Sequence, residues 1–230
     1  MPNPHIIVVS HPVRWREAMR LERALGADSV WDLDYSGCEA NHRRAWKWGV
    51  EDADPDTWVV ILEDDIVLAT GFSRQLGQIL EAAPAPIVSL YLGRGRPPHW
   101  QTSIARAVTS LPDPHTCWLV GTDLLSAQGY AMRVSTMRSL SRSRHRSKLP
   151  VDEHISGWAK RNGHAVAYTW PSIVDHREDL RPLITERADG QPRFERRVAW
   201  NFGSRPRWNN RTHPLLSPEQ NGVTVVKERP

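Results

Sequence analysis

Cysteine is scarce: Cys38 and Cys117 are the two in 230 residues. Two distant cysteines make no disulfide framework and match no metal-binding spacing, so both are read as small, reduced, buried residues. Phenylalanine is scarce as well, at three, and the aromatic weight falls on eleven tryptophans, flat apolar bodies that suit a core, a sugar ring or a base. No apolar run approaches the ~18 residues needed to cross a bilayer. The first dozen residues lack a basic stretch followed by a long apolar one, so no secretory signal is expected. A cytoplasmic chain with no membrane partner follows as an expectation. A complete phosphate-binding glycine loop is also missing, since Gly93 to Pro98 supplies only two glycines among arginines and prolines. What remains is 40% apolar and 24% charged, enough for one globular domain with a real core.

The net charge of +4 is small but uneven. Arg133, Arg138, Arg142, Arg144, Arg146 and Lys148 fall in a stretch without an acid, and eight further arginines lie between Arg181 and Arg211. Ordinary surface arginine accounts for such runs, and so does a basic face for phosphates or a polyanion such as DNA.

The most informative stretch is Trp58 to Leu68. A β-branched apolar run ends in Glu63, Asp64 and Asp65, and a second apolar run follows. The first run reads as a strand buried on both faces, which belongs to an α/β sheet. Ligands bind such sheets beyond the carboxyl ends of the strands. Three carboxylates at that place repel one another and are costly to desolvate unless something positive joins them. Their oxygens are hard donors suited to Mg or Mn. The plain alternative is a solvated acidic turn.

The rest of the chain arranges itself around that strand. His5 to Ser10 is strand-like; Arg14 to Leu25 has helical spacing and Gly26 as its stop. Ser29 to Asp34 closes a β-α-β opening, which should bring Ser10, Arg14, Asp32 and Asp34 to one crevice. Ser36 and Glu39 have capping-box spacing for a helix running to about Val50. A helix is expected from Thr70 to Ala83, then a strand from Ile87 to Leu92. Residues 99 to 116 read as irregular, with Ile104 to Val108 the strand-like part. Cys117 to Val120 and Gln128 to Arg133 look extended, Ser135 to Leu140 helical, and Ser141 to Lys148 a basic loop. Pro150 opens a helix ending at Asn162, with Asp152 and Glu153 in its first turn, where capping alone explains a carboxylate. His164 to Tyr168 is a short strand. Beyond about residue 180 the chain is Arg- and Pro-rich with weak periodicity.

Several of these pieces, in this order, resemble GT-A-fold glycosyltransferases, in particular the lipopolysaccharide-type enzymes of glycosyltransferase family 25. Ser36 to His42 resembles a Gly-Cys…Ser-His segment, with Asn41 where the serine is usual. Leu62 to Asp65 is similar to a Leu-Glu-Asp-Asp core. Gly129 to Val134 followed by Leu149 to Asp152 resembles a Gly-Tyr…Pro-x-Asp run, and Trp170 to His176 a Pro-Ser-Leu-Val-x-His ending. The resemblance covers roughly residues 5 to 180. It implies a single α/β GT-A (Rossmann-like) domain over 1–180, with a mostly parallel central sheet flanked by helices, and an irregular extension over 181–230 packed on it. It further implies a Mn or Mg ion on Asp64, Asp65 and His176, with Ser10, Arg14, Asp34 and Asp64 toward the nucleotide. Asp152 falls at the catalytic-base position, with Glu153 as the fallback, and the 141–148 loop would close over the diphosphate. Tyr91, Trp118 and Trp170 are candidates for sugar stacking.

The expectation is therefore a metal-dependent transferase moving a hexose from a nucleotide sugar, read as a UDP-hexose, to an acceptor hydroxyl with inversion. The acceptor is a hydroxylated base in DNA, a protein or a glycan. Two rivals use the same residues: a metal-dependent nuclease or phosphotransferase, and a non-catalytic nucleic-acid-binding protein on a degenerate scaffold of this kind.

Overall fold

The computed structural model describes residues 3–143, 149–180, 183 and 196–222. The chain opens with β1 (His5–Ser10), α1 (Trp15–Leu25) and β2 (Asp28–Trp31), in which β2 pairs parallel to β1. Gly26 ends α1 in the left-handed conformation at φ 62°, as its sequence position predicts. Next come α2 (Cys38–Gly49) and β3 (Trp58–Glu63), and β3 returns to the other side of β1, again parallel, with Val9 opposite Glu63. The order β2-β1-β3 makes the gap beyond the carboxyl ends of β1 and β3 a topological switch point, the place where open α/β sheets form a crevice.

After β3 come β4 (Ile66–Leu68), α3 (Phe72–Ala82), β5 (Ile87–Ser89), α4 (Gln101–Thr109), β6 (Trp118–Gly121), β7 (Gly129–Arg133) and α5 (Val134–Ser141). The remainder is α6 (Val151–Arg161), β8 (Val166–Thr169), β9 (Val174–His176) and β10 (Thr212–Pro214). The main sheet has eight strands in the order β10-β6-β8-β5-β7-β3-β1-β2, and β4 and β9 form a separate pair. Strands β2, β1, β3, β5 and β8 run one way; β7, β6 and β10 run the other. This is a mixed α/β fold with a large, mostly parallel central sheet between helices, consistent with the Rossmann-like GT-A class expected from the sequence.

Alternation along the strands builds a core on each face. Val59 and Ile61 of β3 join Ile7 and Val9 of β1 against α2, α5 and α6. Val60 and Leu62, with Val8, face α1 and α3 on the other side. Each fully buried side chain of this kind contributes roughly 1.5–3 kcal/mol. Gly49 lets the last turn of α2 sit down on the sheet: a Cβ there would meet Val59 Cγ1 at 2.6 Å.

Two local expectations are corrected. Residues 101–109 are a helix, with Ser103, Ile104 and Ala107 buried, not an irregular stretch with a strand. The Ser36–Glu39 capping box does not form: Gly37, at φ 96°, is the N-cap and makes no side-chain cap bond. Ser36 instead donates its N–H and Oγ–H to Asp32 Oδ1. The described part of the C-terminal segment, 196–222, packs against the domain and contributes one strand. It bridges Gly93 with Ala199 and Ser172 with Phe202, and β10 extends the sheet beside β6.

Candidate functional site

At the switch point lies a cleft of about 520 Å³, within the range of small-molecule sites. Its lining brings together Ser10, Arg14, Asp64, Asp65 and His176, all expected there from sequence. Ser10 ends β1 and is buried, its hydroxyl bonding to Val8 O and Ser29 Oγ. Asp64 and Asp65 follow β3 directly and are 3% and 6% exposed. His176 arrives because β9 pairs antiparallel with β4, setting His176 opposite Ile66, one residue past the acidic turn. The backbone N–H of Arg177 donates to Asp65 O at 2.8 Å and fixes that register.

The positive partner that burial of these acids demands is within the chain. Arg14, itself 8% exposed, sets Nη1 3.0 Å from Asp64 Oδ1 and 2.5 Å from Asp65 Oδ2. Asp64 Oδ2 accepts the N–H of His11 at 2.8 Å, and His176 Nε2 stands 3.3 Å from Asp65 Oδ2. Burial dominates at Asp64 and lifts its carboxyl to about 6, against the His11 and Arg14 hydrogen bonds. Burial also acts to raise Asp65, but His176 and Arg14 outweigh it and hold that carboxyl below its ordinary value. Arg14 thus supplies positive charge beside the acidic turn from within the chain.

A cation has limited room among these atoms. Each oxygen of Asp64 already accepts one hydrogen bond, from His11 N–H and from Arg14, which leaves each a second lone pair. Asp65 Oδ1 and His176 Nδ1 are buried and make no hydrogen bond. With Nε2–H directed at Asp65, Nδ1 would carry a lone pair. One carboxylate oxygen and one imidazole nitrogen are donor types that suit Mn, but with Nε2 facing Asp65 the Nδ1 lone pair points away from it, so Asp65 and His176 meet on one ion only if the ring turns, and the Arg14 charge opposes a cation at Asp64.

Of the remaining sequence candidates, Asp32 lines the cleft and the others lie outside its lining. Asp34 is outside the cleft lining, 63% exposed in its side chain, and gripped by Arg44 Nη2 at 2.6 Å, whose hydrogen bond lowers its carboxyl. Asp32 lines the cleft and receives the N–H groups of Ser36 and Gly37, so it shapes the β2–α2 loop. Asp152 and Glu153 open α6 outside the cleft lining, and Glu153 is exposed. Burial raises the Asp152 carboxyl to about 6, with Glu153 and Glu63 adding to the shift. Tyr91 and Trp118 are core residues, at 3% and 0% exposure, and Trp170 is partly buried against the core. Most of the basic 141–148 loop falls outside the described residues.

Many of the arginines read as a basic face are engaged internally. Arg133 lies over the Trp58 ring and donates to Asp56 O; Arg138 donates to Val50 O and Ala53 O. Arg205 donates to the carbonyls of Pro114, Thr116 and Trp170, and Arg196 and Arg211 pair with Glu178 and Asp113.

Sequence reasoning missed four features of the cleft. Tyr35 stands at its mouth, 67% exposed at φ 53°, with its ring edge-on to His11 at 5.4 Å. Asn41, buried in α2, donates to Ser10 O and Val30 O and ties β1 to β2. Glu178 and Arg197 bring the C-terminal segment into the lining. Finally, Cys38, His42 and Glu63 bring one ligand atom each within 4.8 Å of one another. Among the described residues this is the group of metal-ligand type that the structure assembles, and the Cys-x-x-x-His spacing on one helix was its available signal.

No family model matches the chain, and no curated protein matches it. Expectation of a family-25 enzyme therefore rests on its four motifs. Among solved structures the chain is similar to A197 from STIV, with TM-score 0.45 and 10% identity over 75% of this chain and 83% of that one. It is also similar to a glycosyltransferase involved in the glycosylation of the major capsid of PBCV-1, with TM-score 0.29 and 15% identity over 65% of this chain and 73% of that one. Likeness at this level leaves function to be argued from the site.

Proposed function

We propose that the chain is a glycosyltransferase that moves a hexose from a nucleotide sugar, UDP-hexose in the first instance, to an acceptor hydroxyl. The observation that carries this reading is the cleft at the β1–β3 switch point, where Asp64, Asp65, Arg14 and His176 converge on a cavity of about 520 Å³. That position in the sheet suits a nucleotide, and the acidic turn with its histidine is the part the sequence motifs share with the GT-A group. Tyr35 offers an exposed ring at the cleft mouth on which a base can stack.

The reaction needs two things from the protein. The diphosphate leaving group gains charge as the bond from sugar C1 to its oxygen breaks, and Arg14 and Arg197 line the same cleft to receive it. A Mn or Mg ion held by Asp65, and by His176 once its ring turns, would supply further charge stabilisation to that leaving group. The acceptor hydroxyl must lose its proton as its oxygen bonds to C1. Asp152, raised to about 6, is matched to neutral-pH base work, and Glu63 stands within its electrostatic reach. Acceptor choice is open to DNA, a glycan or a protein. Internal engagement of Arg133, Arg138 and Arg205 lessens the support for DNA, and the exposed Arg207 retains some.

The test is UDP release from UDP-hexoses, with and without Mn, in the parent and in Asp65→Ala. Release that depends on Asp65 supports a transferase. Phosphodiester cleavage without any sugar donor would instead support the nuclease reading, and DNA binding with neither activity the non-catalytic one.

A further inference from the structure

The acidic turn is not the only group of ligating side chains at this cleft. Beside it, Cys38 and His42 stand one turn apart on α2, and Glu63, the residue before Asp64, reaches them from the end of β3. Cys38 and Glu63 line the cleft, while His42 is fully buried behind them. His42 Nε2 lies 3.5 Å from Glu63 Oε1 and Cys38 Sγ lies 3.9 Å from the same oxygen; all three donor atoms lie within 4.8 Å of one another. Zinc bonds of about 2.0–2.3 Å at tetrahedral angles set donor separations of roughly 3.4–3.6 Å, so a small inward movement completes the set.

A second observation points to a missing ligand. His42 Nε2 is buried and makes no hydrogen bond, although the ring is otherwise held firmly. Its Nδ1 is 3.0 Å from the Tyr130 hydroxyl, which also accepts the Trp46 indole N–H at 2.7 Å. Tyr130 and Trp46 are buried too. A histidine fixed through one nitrogen by a hydrogen-bond partner, with the other nitrogen left toward a carboxylate and a thiol, has the arrangement of a metal-ligating imidazole.

We propose that Cys38, His42 and Glu63 form a binding site for a borderline-soft divalent cation of the zinc class, separate in its donors from the Asp65–His176 pair. Sulfur and imidazole donors favour zinc or cobalt over magnesium, which prefers oxygen throughout. With three protein ligands, the fourth tetrahedral position is left to a water or a ligand from the cleft that Cys38 and Glu63 line. In the cation-free chain the Tyr130 O–H donates to Nδ1 and Nε2 carries the ring proton. On binding, the ring proton moves to Nδ1 and points at the Tyr130 oxygen, which frees the Nε2 lone pair. Cys38 loses its thiol proton to solvent, so the Sγ–metal bond forms as the S–H bond breaks. Burial, then the nearby carboxylates, push the free thiol well above its ordinary value, and a dication reverses that balance. About one proton is therefore released per ion bound.

The experiment uses the full chain stripped with chelator and titrated with Co(II), then Zn(II). One equivalent of Co(II) should produce a near-ultraviolet thiolate-to-cobalt absorption that Zn(II) displaces. Cys38→Ser should abolish the absorption, while Cys117→Ser and Asp65→Asn keep it. Tyr130→Phe, if circular dichroism shows it folded, should weaken Zn(II) binding about 10- to 100-fold. No thiolate band at stoichiometric Co(II), or a band that survives in folded Cys38→Ser, overturns the site. Loss of the band in Asp65→Asn overturns its separateness. Donor turnover is not part of the readout, so this result and the transferase reading stand or fall independently.

Discussion

Replacing Arg14 with methionine tests the internal cation directly. Methionine keeps an unbranched apolar stem and removes the guanidinium, whose Nη1 lies 3.0 Å from Asp64 and 2.5 Å from Asp65 with all three side chains at most 10% exposed. Removing one partner of a buried pair costs about 3–5 kcal/mol when the abandoned charges remain charged. Here the acids have an escape. Asp64 titrates at about 6 even with arginine present, burial being the main cause. Protonating it costs about 2.7 kcal/mol at pH 8 and almost nothing at pH 5.5, at 1.36 kcal/mol per pH unit. The loss in Arg14→Met should therefore be about 3–5 kcal/mol at pH 8 and about 2–3 kcal/mol smaller at pH 5.5. Urea unfolding of both proteins in chelator at the two pH values reads this difference. The variant should also gain more thermal stability from added Mn than the parent, because the dication takes the vacated role. A loss below about 1 kcal/mol at pH 8, or one equal at both pH values, would refute the claim that Arg14 neutralises the turn.

The parent protein carries a related pH signature. Asp64 has its folded value above its unfolded one, so the folded state binds the extra proton and stability falls as pH rises from about 4 to about 6, by roughly 3 kcal/mol. Asp64→Asn should flatten that window in a urea series, and an unchanged slope would assign it elsewhere. Asp65, held low, acts in the opposite sense: its contribution is present above about pH 4 and is lost as acid protonates it. For the proposed transfer, Asp152→Asn should lower kcat by about 10²–10⁴-fold, and parent activity should fall as pH drops below about 6, where the base is protonated. A variant with near-parental kcat removes Asp152 from the chemistry. Gly49→Val should destabilise by about 1–3 kcal/mol in thermal melts, because its Cβ would meet Val59 at 2.6 Å; an unaffected melting temperature would mean that α2 shifts freely on the sheet.

Elements with a local cause were legible in the sequence. The both-sided apolar runs of β1 and β3 declare buried strands, and their carboxyl ends declare where a ligand can bind. The stripe of α1 with Gly26 as its stop, and the apolar positions of α3, needed only helical periodicity. The α4 segment carried its signal too, in Ile104 and Ala107 three residues apart, but the neighbouring β-branched residues obscured it. That an acidic turn this apolar on both sides must meet a positive charge was readable as well, because desolvation cost depends on burial and charge alone.

Which charge answers it was decided by tertiary structure. Arg14 is 50 residues from Asp64, and the two meet only because α1 starts at the carboxyl end of β1, beside β3. His176 reaches Asp65 through the β4–β9 register, and Arg44 draws Asp34 away through a pairing that competes with any ligand. Cys38 and His42 are neighbours on any helix, but Glu63 joins them only when α2 packs across the end of β3. Sequence spacing fixes contacts within a helix turn or along a strand; side-chain chemistry assembled from three elements depends on how those elements cross.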